Sequence, residues 1–139
     1  MFSWLKSKPK TPKTLGQLGE EFAQEEYKKR GYKIIAANFF NKKGLRLGEV
    51  DFIALDKNHI AFVEVKTRSS PAGKFGSGAE SVNQFKQIKI LKAVKIFLQK
   101  YPKYLNLQPK IDICLLEFSE VDKAFKPAII IPNAVEDWN

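Results

Sequence analysis

At 139 residues, 44% of them hydrophobic, the chain is long enough to bury one core and too apolar to be disordered throughout. A single cysteine and a single histidine exclude an intrachain disulfide and a structural zinc site, and a reducing cytoplasm is the simplest compartment. The net charge of +9, from 24 basic and 15 acidic residues, points to a polyanion partner, nucleic acid first among them, or to a protein that is simply basic.

Residues 1–13, MFSWLKSKPKTPK, read as a basic flexible tail. The apolar start is too short for a secretory signal, and the lysines follow it instead of preceding it. No apolar run approaches a membrane span, so no membrane partner is expected. Residues 14–139 read as a single domain.

TLGQLGEEFAQEEYKKRG predicts a helix from about Leu15 to Arg30, capped by Thr14 and ended by Gly31. Leu15, Leu18, Phe22 and Ala23 define its expected buried face. YKIIAANFF predicts a first strand and NKKGLRLG a basic turn region. Strands two and three follow within GEVDFIALDKNHIAFVEVKTR. SSPAGKFGSGAE, with three glycines and a proline, is a surface loop carrying Lys74 and Phe75. SVNQFKQIKILKAVKIFLQKY predicts a long helix capped by Ser81, its apolar face marked by Val82, Phe85, Ile88, Leu91, Val94, Leu98 and Tyr101. KIDICLLEF and PAIIIP are two more strands, and Cys114 in the first is expected to be a small buried residue. The order α-β-β-β-α-β-β describes a mixed α/β domain with one central sheet and flanking helices.

Basic charge is concentrated. Six lysines and no carboxylate lie between Ser81 and Lys103. A helix laced for its own stability alternates signs. This one suits a nucleic-acid face, and the alternative is an ordinary solvated lysine face.

The hairpin holds the chemistry. With the turn at Lys57-Asn58, Leu55 meets Ile60, Asp51 lies opposite Glu64, and Glu49 lies opposite Lys66. Strand alternation then sends Glu49, Asp51, Glu64 and Lys66 to one face and Val50, Phe52, Val63 and Val65 to the other. Carboxylates directly opposed in a sheet repel. Either one keeps a proton or the pair holds a hard divalent cation such as Mg²⁺ or Mn²⁺. Lys66 projects to the same place, where it can stabilise charge on a phosphate or orient water. The competing reading is a solvent-facing sheet surface, with Glu49–Lys66 a cross-strand pair worth roughly a few tenths of a kcal/mol. Glu20, beside the small Gly19 on the first helix, is the candidate further carboxylate. Glu21, Glu25 and Glu26 read better as solvated.

These residues resemble a family. GQLGEEFA, GEVDFIALDKNHIAFVEVKTR and VNQFKQIKILKAV together look like the signature of the bacterial YraN-like proteins, predicted endonucleases of the PD-(D/E)xK nuclease superfamily. The likeness spans most of residues 15–118 and implies a restriction-endonuclease-like fold, similar to that of archaeal Holliday junction resolvases. By position, Asp51 and Glu64 match the superfamily's metal carboxylates and Lys66 its catalytic lysine. Glu20 matches the first-helix glutamate of resolvase-like members. Glu49 belongs to the G-E-[IV]-D pattern as a supporting residue. Lys110 stands where the family commonly has an arginine.

The expectation is therefore a Mg²⁺- or Mn²⁺-dependent endonuclease acting on DNA, branched DNA included, in the cytoplasm. Asp51, Glu64 and the Val65 carbonyl are the expected metal ligands, and Lys66 and Glu20 the catalytic groups. Arg68, Lys74, Lys86 and Lys89 are the expected phosphate contacts. A homodimer fits a substrate needing two cuts. The alternatives are a nucleic-acid-binding module that does not cut and a protein-interaction domain with a basic surface.

Overall fold

Two twelve-residue strands, β3 (His59–Ser70) and β4 (Gln108–Ser119), run parallel and paired from His59↔Gln108 to Ser70↔Ser119. Their buried central stretches are mostly apolar, Ile60–Val63 in β3 and Ile113–Leu116 in β4, as in parallel strands covered on two faces. The computed structural model describes residues 11–37, 50–70 and 84–134. Most of the basic tail, Glu49, the Lys74–Phe75 loop, and Ser81 and Val82 at the start of the second helix lie outside them.

Around this pair the described elements are helix α1 (Leu15–Lys29), β1 (Lys33–Ala37), β2 (Phe52–Leu55), helix α2 (Gln84–Lys100), β5 (Ala124–Phe125) and β6 (Ile129–Ile131). The sheet order is β1-β2-β3-β4-β5, with β6 also on β4, and every pairing but β3–β4 is antiparallel. The expected mixed α/β layering holds. β5 is an addition, two residues long and preceded by Lys123 at φ 52°, too short to leave a periodic signal.

Both ends of α1 follow its sequence. Thr14 Oγ1 accepts from the Gln17 N–H at 3.1 Å, while Gln17 Oε1 accepts from the Thr14 N–H at 2.9 Å, a reciprocal capping box. Gly31, at φ +93°, turns the chain out of the helix without the strain a side chain would incur there. The buried face is rotated from the expected one. Gly19, Ala23 and Tyr27 are buried, whereas Leu18 is 40% exposed and Leu15 and Phe22 only half-buried. The reason is close approach: a Cβ on Gly19 would lie 2.2 Å from Thr67 Oγ1 on β3, so the smallest residues of α1 meet the sheet.

The buried residues of α2 are Ile90, Ala93, Val94 and Phe97; Phe85 is 69% and Ile88 58% exposed. Val94 is buried and Leu91 and Leu98 pack against the core as expected, while Phe85 and Ile88 fall outside the buried face. The helix carries apolar residues on more than one side, so spacing offers two stripes, and packing selects the one with the small Ala93.

Alternate strand residues divide between two cores. Ile53, Ile60, Phe62 and Ile111 pack against α2, while Phe52, Ala54, Ala61, Val63, Cys114 and Leu116 pack against α1. Cys114 is fully buried, as expected, and burial pushes its thiol up to about 12. Asp112, also fully buried, is satisfied on three sides. It accepts from Tyr27 Oη at 2.6 Å and the Asn133 N–H at 3.2 Å, and pairs with Lys110 Nζ at 3.3 Å. Lys110 also stands 5.3 Å over the Tyr32 ring, so this lysine serves both a buried ion pair and a cation–π contact.

Candidate active site

Asp56 sets the hairpin. Its carboxylate accepts from the N–H groups of Asn58 at 2.9 Å and His59 at 2.7 Å, closing the turn. The ladder then runs Leu55↔Ile60, Ala54↔Ala61, Ile53↔Phe62 and Phe52↔Val63, the register expected from a turn at Lys57-Asn58.

At Asp51 the ladder departs from that scheme. The Asp51 N–H donates to the Val63 carbonyl at 2.9 Å, and Asp51 Oδ2 accepts from the Val65 N–H at 2.7 Å. Val50 packs with Ile53 and Phe62, not with Phe52, Val63 and Val65 as strict alternation requires. An irregularity of the β-bulge kind at Asp51 accounts for both observations. Asp51 therefore does not simply stand across the ladder from Glu64. Its carboxylate runs along the β2-side edge of β3, onto the backbone of Val65. A strand residue's N–H and C=O face the same edge, so the Val65 carbonyl lies on that edge too.

Glu64 is 6% exposed. Its Oε1 lies 2.8 Å from Lys86 Nζ and 3.5 Å from Lys66 Nζ, and its buried Oε2 has no hydrogen-bond partner among the described residues. Burial, reinforced by the charge of Asp51, pushes Glu64 up to about 7, against the pull of Lys86 and Lys66. Burial also raises Asp51, to about 6; the Val65 N–H, Lys86 and Lys66 oppose the rise and Glu20 adds to it. Burial lowers Lys66, with the neighbouring Lys86 adding to the effect.

Four of the residues singled out from sequence thus converge: Asp51, Glu64 and Lys66 on the hairpin, with Glu20 from α1 half-buried and within electrostatic reach of Asp51. The Gly19–Thr67 contact brings Glu20 there. Lys86, expected as a phosphate contact, reaches Glu64 itself. A signal for this exists in the sequence. Lys86 stands four residues before Ile90, on the sheet-facing stripe Ile90–Ala93–Val94–Phe97, but the bulkier stripe through Phe85 and Ile88 masks it. Arg68 and Lys89 are exposed, with Lys89 Nζ 4.9 Å over the Phe85 ring. Glu49 and Lys74 lie outside the described residues.

The donor set suits a hard divalent cation: two carboxylates, a backbone carbonyl on the same edge, and an unpartnered buried carboxylate oxygen. Among the described residues no group of three or more His, Cys, Asp and Glu side chains forms a site by itself. Mg²⁺ is commonly held by one or two carboxylates, completed by water and phosphate oxygens.

A family model described as "Uncharacterised protein family UPF0102" matches residues 19–116, from the α1 glycine through Asp51, Glu64, Lys66 and Lys86 into β4. The chain belongs to the UPF0102 family. A UPF0102 protein of Caldanaerobacter subterraneus subsp. tengcongensis is 44% identical over 101 residues, covering 73% of this chain and 77% of that one. One from Carboxydothermus hydrogenoformans is 37% identical over 103 residues, 74% of this chain and 81% of its own. One from Acinetobacter baumannii is 36% identical over 106 residues, 76% and 75% respectively. Among the described residues no helix is long and apolar enough to cross a membrane.

Proposed function

We propose that this UPF0102 protein is a metal-dependent endonuclease hydrolysing phosphodiester bonds in DNA, on a fold of the PD-(D/E)xK type. The observation that carries the reading is Glu64. A buried carboxylate with one oxygen between two lysines and the other without a hydrogen-bond partner among the described residues is costly to fold. Such a cost is characteristic of sites arranged for chemistry.

Asp51, Glu64 and the Val65 carbonyl would hold Mg²⁺ or Mn²⁺. When bound, the ion supplies Lewis-acid stabilisation of phosphate charge and lowers the pKa of water. The rest is the work of the chain. Lys66 neutralises charge growing on the scissile phosphate and orients the attacking water. Glu20 accepts a hydrogen bond from that water on the α1 side. Lys86, Lys89, Arg68 and Lys74 hold flanking phosphates. Glu49 supports the hairpin pair. DNA-directed chemistry implies a cytoplasmic protein. Branched DNA is within the substrate class, and two copies acting as a homodimer supply the two cuts a four-way junction needs.

Asp51→Ala and Lys66→Ala are each expected to abolish Mg²⁺- or Mn²⁺-dependent cleavage while circular dichroism shows the fold intact. Cleavage surviving both changes removes the assignment. One observation favours a second reading, a nucleic-acid-binding module that does not cut: Lys86 already neutralises Glu64. DNA binding that weakens with salt, together with no heat of Mn²⁺ binding, would select it.

A further inference from the structure

We infer that Lys86 is an exchangeable counter-ion: it holds Glu64 while the carboxylates lack metal, and passes to a DNA phosphate once a divalent cation takes them. The inference rests on the metal-dependent reading above and adds a coupling between metal and DNA that this reading does not require.

The geometry singles out Lys86 from the two lysines at Glu64. Lys66 belongs to the same strand as Glu64, two residues away, and shares its face, so the rigid strand keeps it at the site. Lys86 comes from another element, the first turns of α2, and makes the shorter contact, 2.8 Å against 3.5 Å. Its side chain is still 21% exposed, and its flexible stem allows the ammonium to leave without moving backbone. Exposed Lys89 lies one turn further along α2, which carries no acidic residue, and Lys92 and Lys95 follow at three-residue steps that turn away from the sheet. A phosphate held at Lys89 has Lys86 as its neighbour on the helix.

Charge balance supplies the motive. Among the described residues, two carboxylates, Asp51 and Glu64, face two ammoniums, Lys66 and Lys86, with Glu20 contributing from α1. A divalent cation added to this cluster leaves excess positive charge at close range, and the shortest ion pair occupies the oxygen it needs. Releasing Lys86 relieves both conflicts, and a DNA phosphate receives the freed ammonium. Metal and DNA then favour each other's binding, reciprocally.

Calorimetry with Mn²⁺ alone, at pH 8.5 where both carboxylates are ionised, tests this on the full chain. Lys86→Met keeps the stem and removes the charge; Lys86→Gln is the second variant, and circular dichroism checks both for folding. Mn²⁺ should bind the folded variants roughly tenfold more tightly than the wild type, within the usual range of site-to-site coupling. A short DNA duplex, followed by fluorescence anisotropy without metal, should bind them about as tightly as it binds the wild type, because there Lys86 is held by Glu64. Mn²⁺ should then no longer strengthen DNA binding as it does in the wild type. An unchanged or weaker Mn²⁺ affinity in folded variants overturns the inference while leaving the metal site standing. If the wild type and Asp51→Ala give the same absence of Mn²⁺ heat, the metal reading falls, and this inference with it.

Discussion

Asp51 and Glu64 carry their charge where burial opposes it, and the consequence is a pH dependence whose sign can be worked out. Both folded-state values are raised, Asp51 from 3.8 to about 6 and Glu64 from 4.5 to about 7. A raised carboxyl binds its proton more readily in the folded chain than in the unfolded one. Its stabilisation is complete below the unfolded value and is lost as pH rises through the folded value. For this pair the loss runs from about pH 4 to about pH 7, and at pH 8 the native state carries the full cost. Asp51→Asn keeps the acceptor for the Val65 N–H and removes the charge. In chelator at pH 8 it should be more stable than the wild type by about 1–2 kcal/mol, raising the melting temperature by several degrees. The advantage should shrink towards pH 4. Thermal melts at the two pH values check it, and a variant less stable than wild type at pH 8 contradicts it. At this scale the sequence was informative: Asp51, Glu64 and Lys66 stand out as charges within apolar strands. The irregularity at Asp51 was not legible, because it depends on where Val50 packs and not on residue type.

Among the elements, α1 shows how one glycine positions a carboxylate against a hairpin far from it in sequence. Gly19 lets the helix rest on Thr67, and Glu20 follows it into the site. Gly19→Ala gains about 1 kcal/mol of helix propensity. It also places a Cβ 2.2 Å from Thr67 Oγ1, and overpacking of that kind costs about 1–3 kcal/mol. Net destabilisation of up to roughly 2 kcal/mol is expected, measured by urea unfolding. Thr67→Ala in the same chain should recover most of it, because the clashing atoms are removed. Additive losses in the double variant would contradict the contact. Helix existence and caps were legible here, Thr14 and Gly31 above all, because caps are local chemistry. Helix phase was not. Leu18 and Phe85 are large and apolar at helical spacing, yet packing favoured stripes containing Gly19 and Ala93, which allow closer approach.

For the whole molecule, charge is the property that reaches furthest. The chain carries +9, and α2 contributes five lysines and no acid. If this face tracks a phosphate backbone, DNA affinity must fall linearly with salt on logarithmic axes. Replacing exposed Lys89 and Lys92 by glutamine should lower that slope by roughly 2, one for each phosphate that the variant no longer neutralises. Anisotropy titrations over a range of salt concentrations measure it. An unchanged slope places the DNA elsewhere. Asp112 acts at this scale too, joining β4, α1 and the segment after β6 through Tyr27, Lys110 and Asn133. Its isolated position in KIDICLLEF does not reveal Tyr27 or Asn133, which are distant in the chain.

The sequence by itself determined the mixed α/β class, the caps of α1, the hairpin register from a turn at Lys57-Asn58, and the clustering of carboxylates and a lysine on one hairpin. Each follows from neighbours a few residues apart, where backbone geometry and side-chain alternation leave little choice. Only the tertiary structure decided which stripe of each helix meets the sheet, how Asp51 leaves the ladder, and that Lys86 reaches Glu64. Those outcomes depend on shape and closest approach between distant segments, and no local period encodes which of two apolar faces packs more closely.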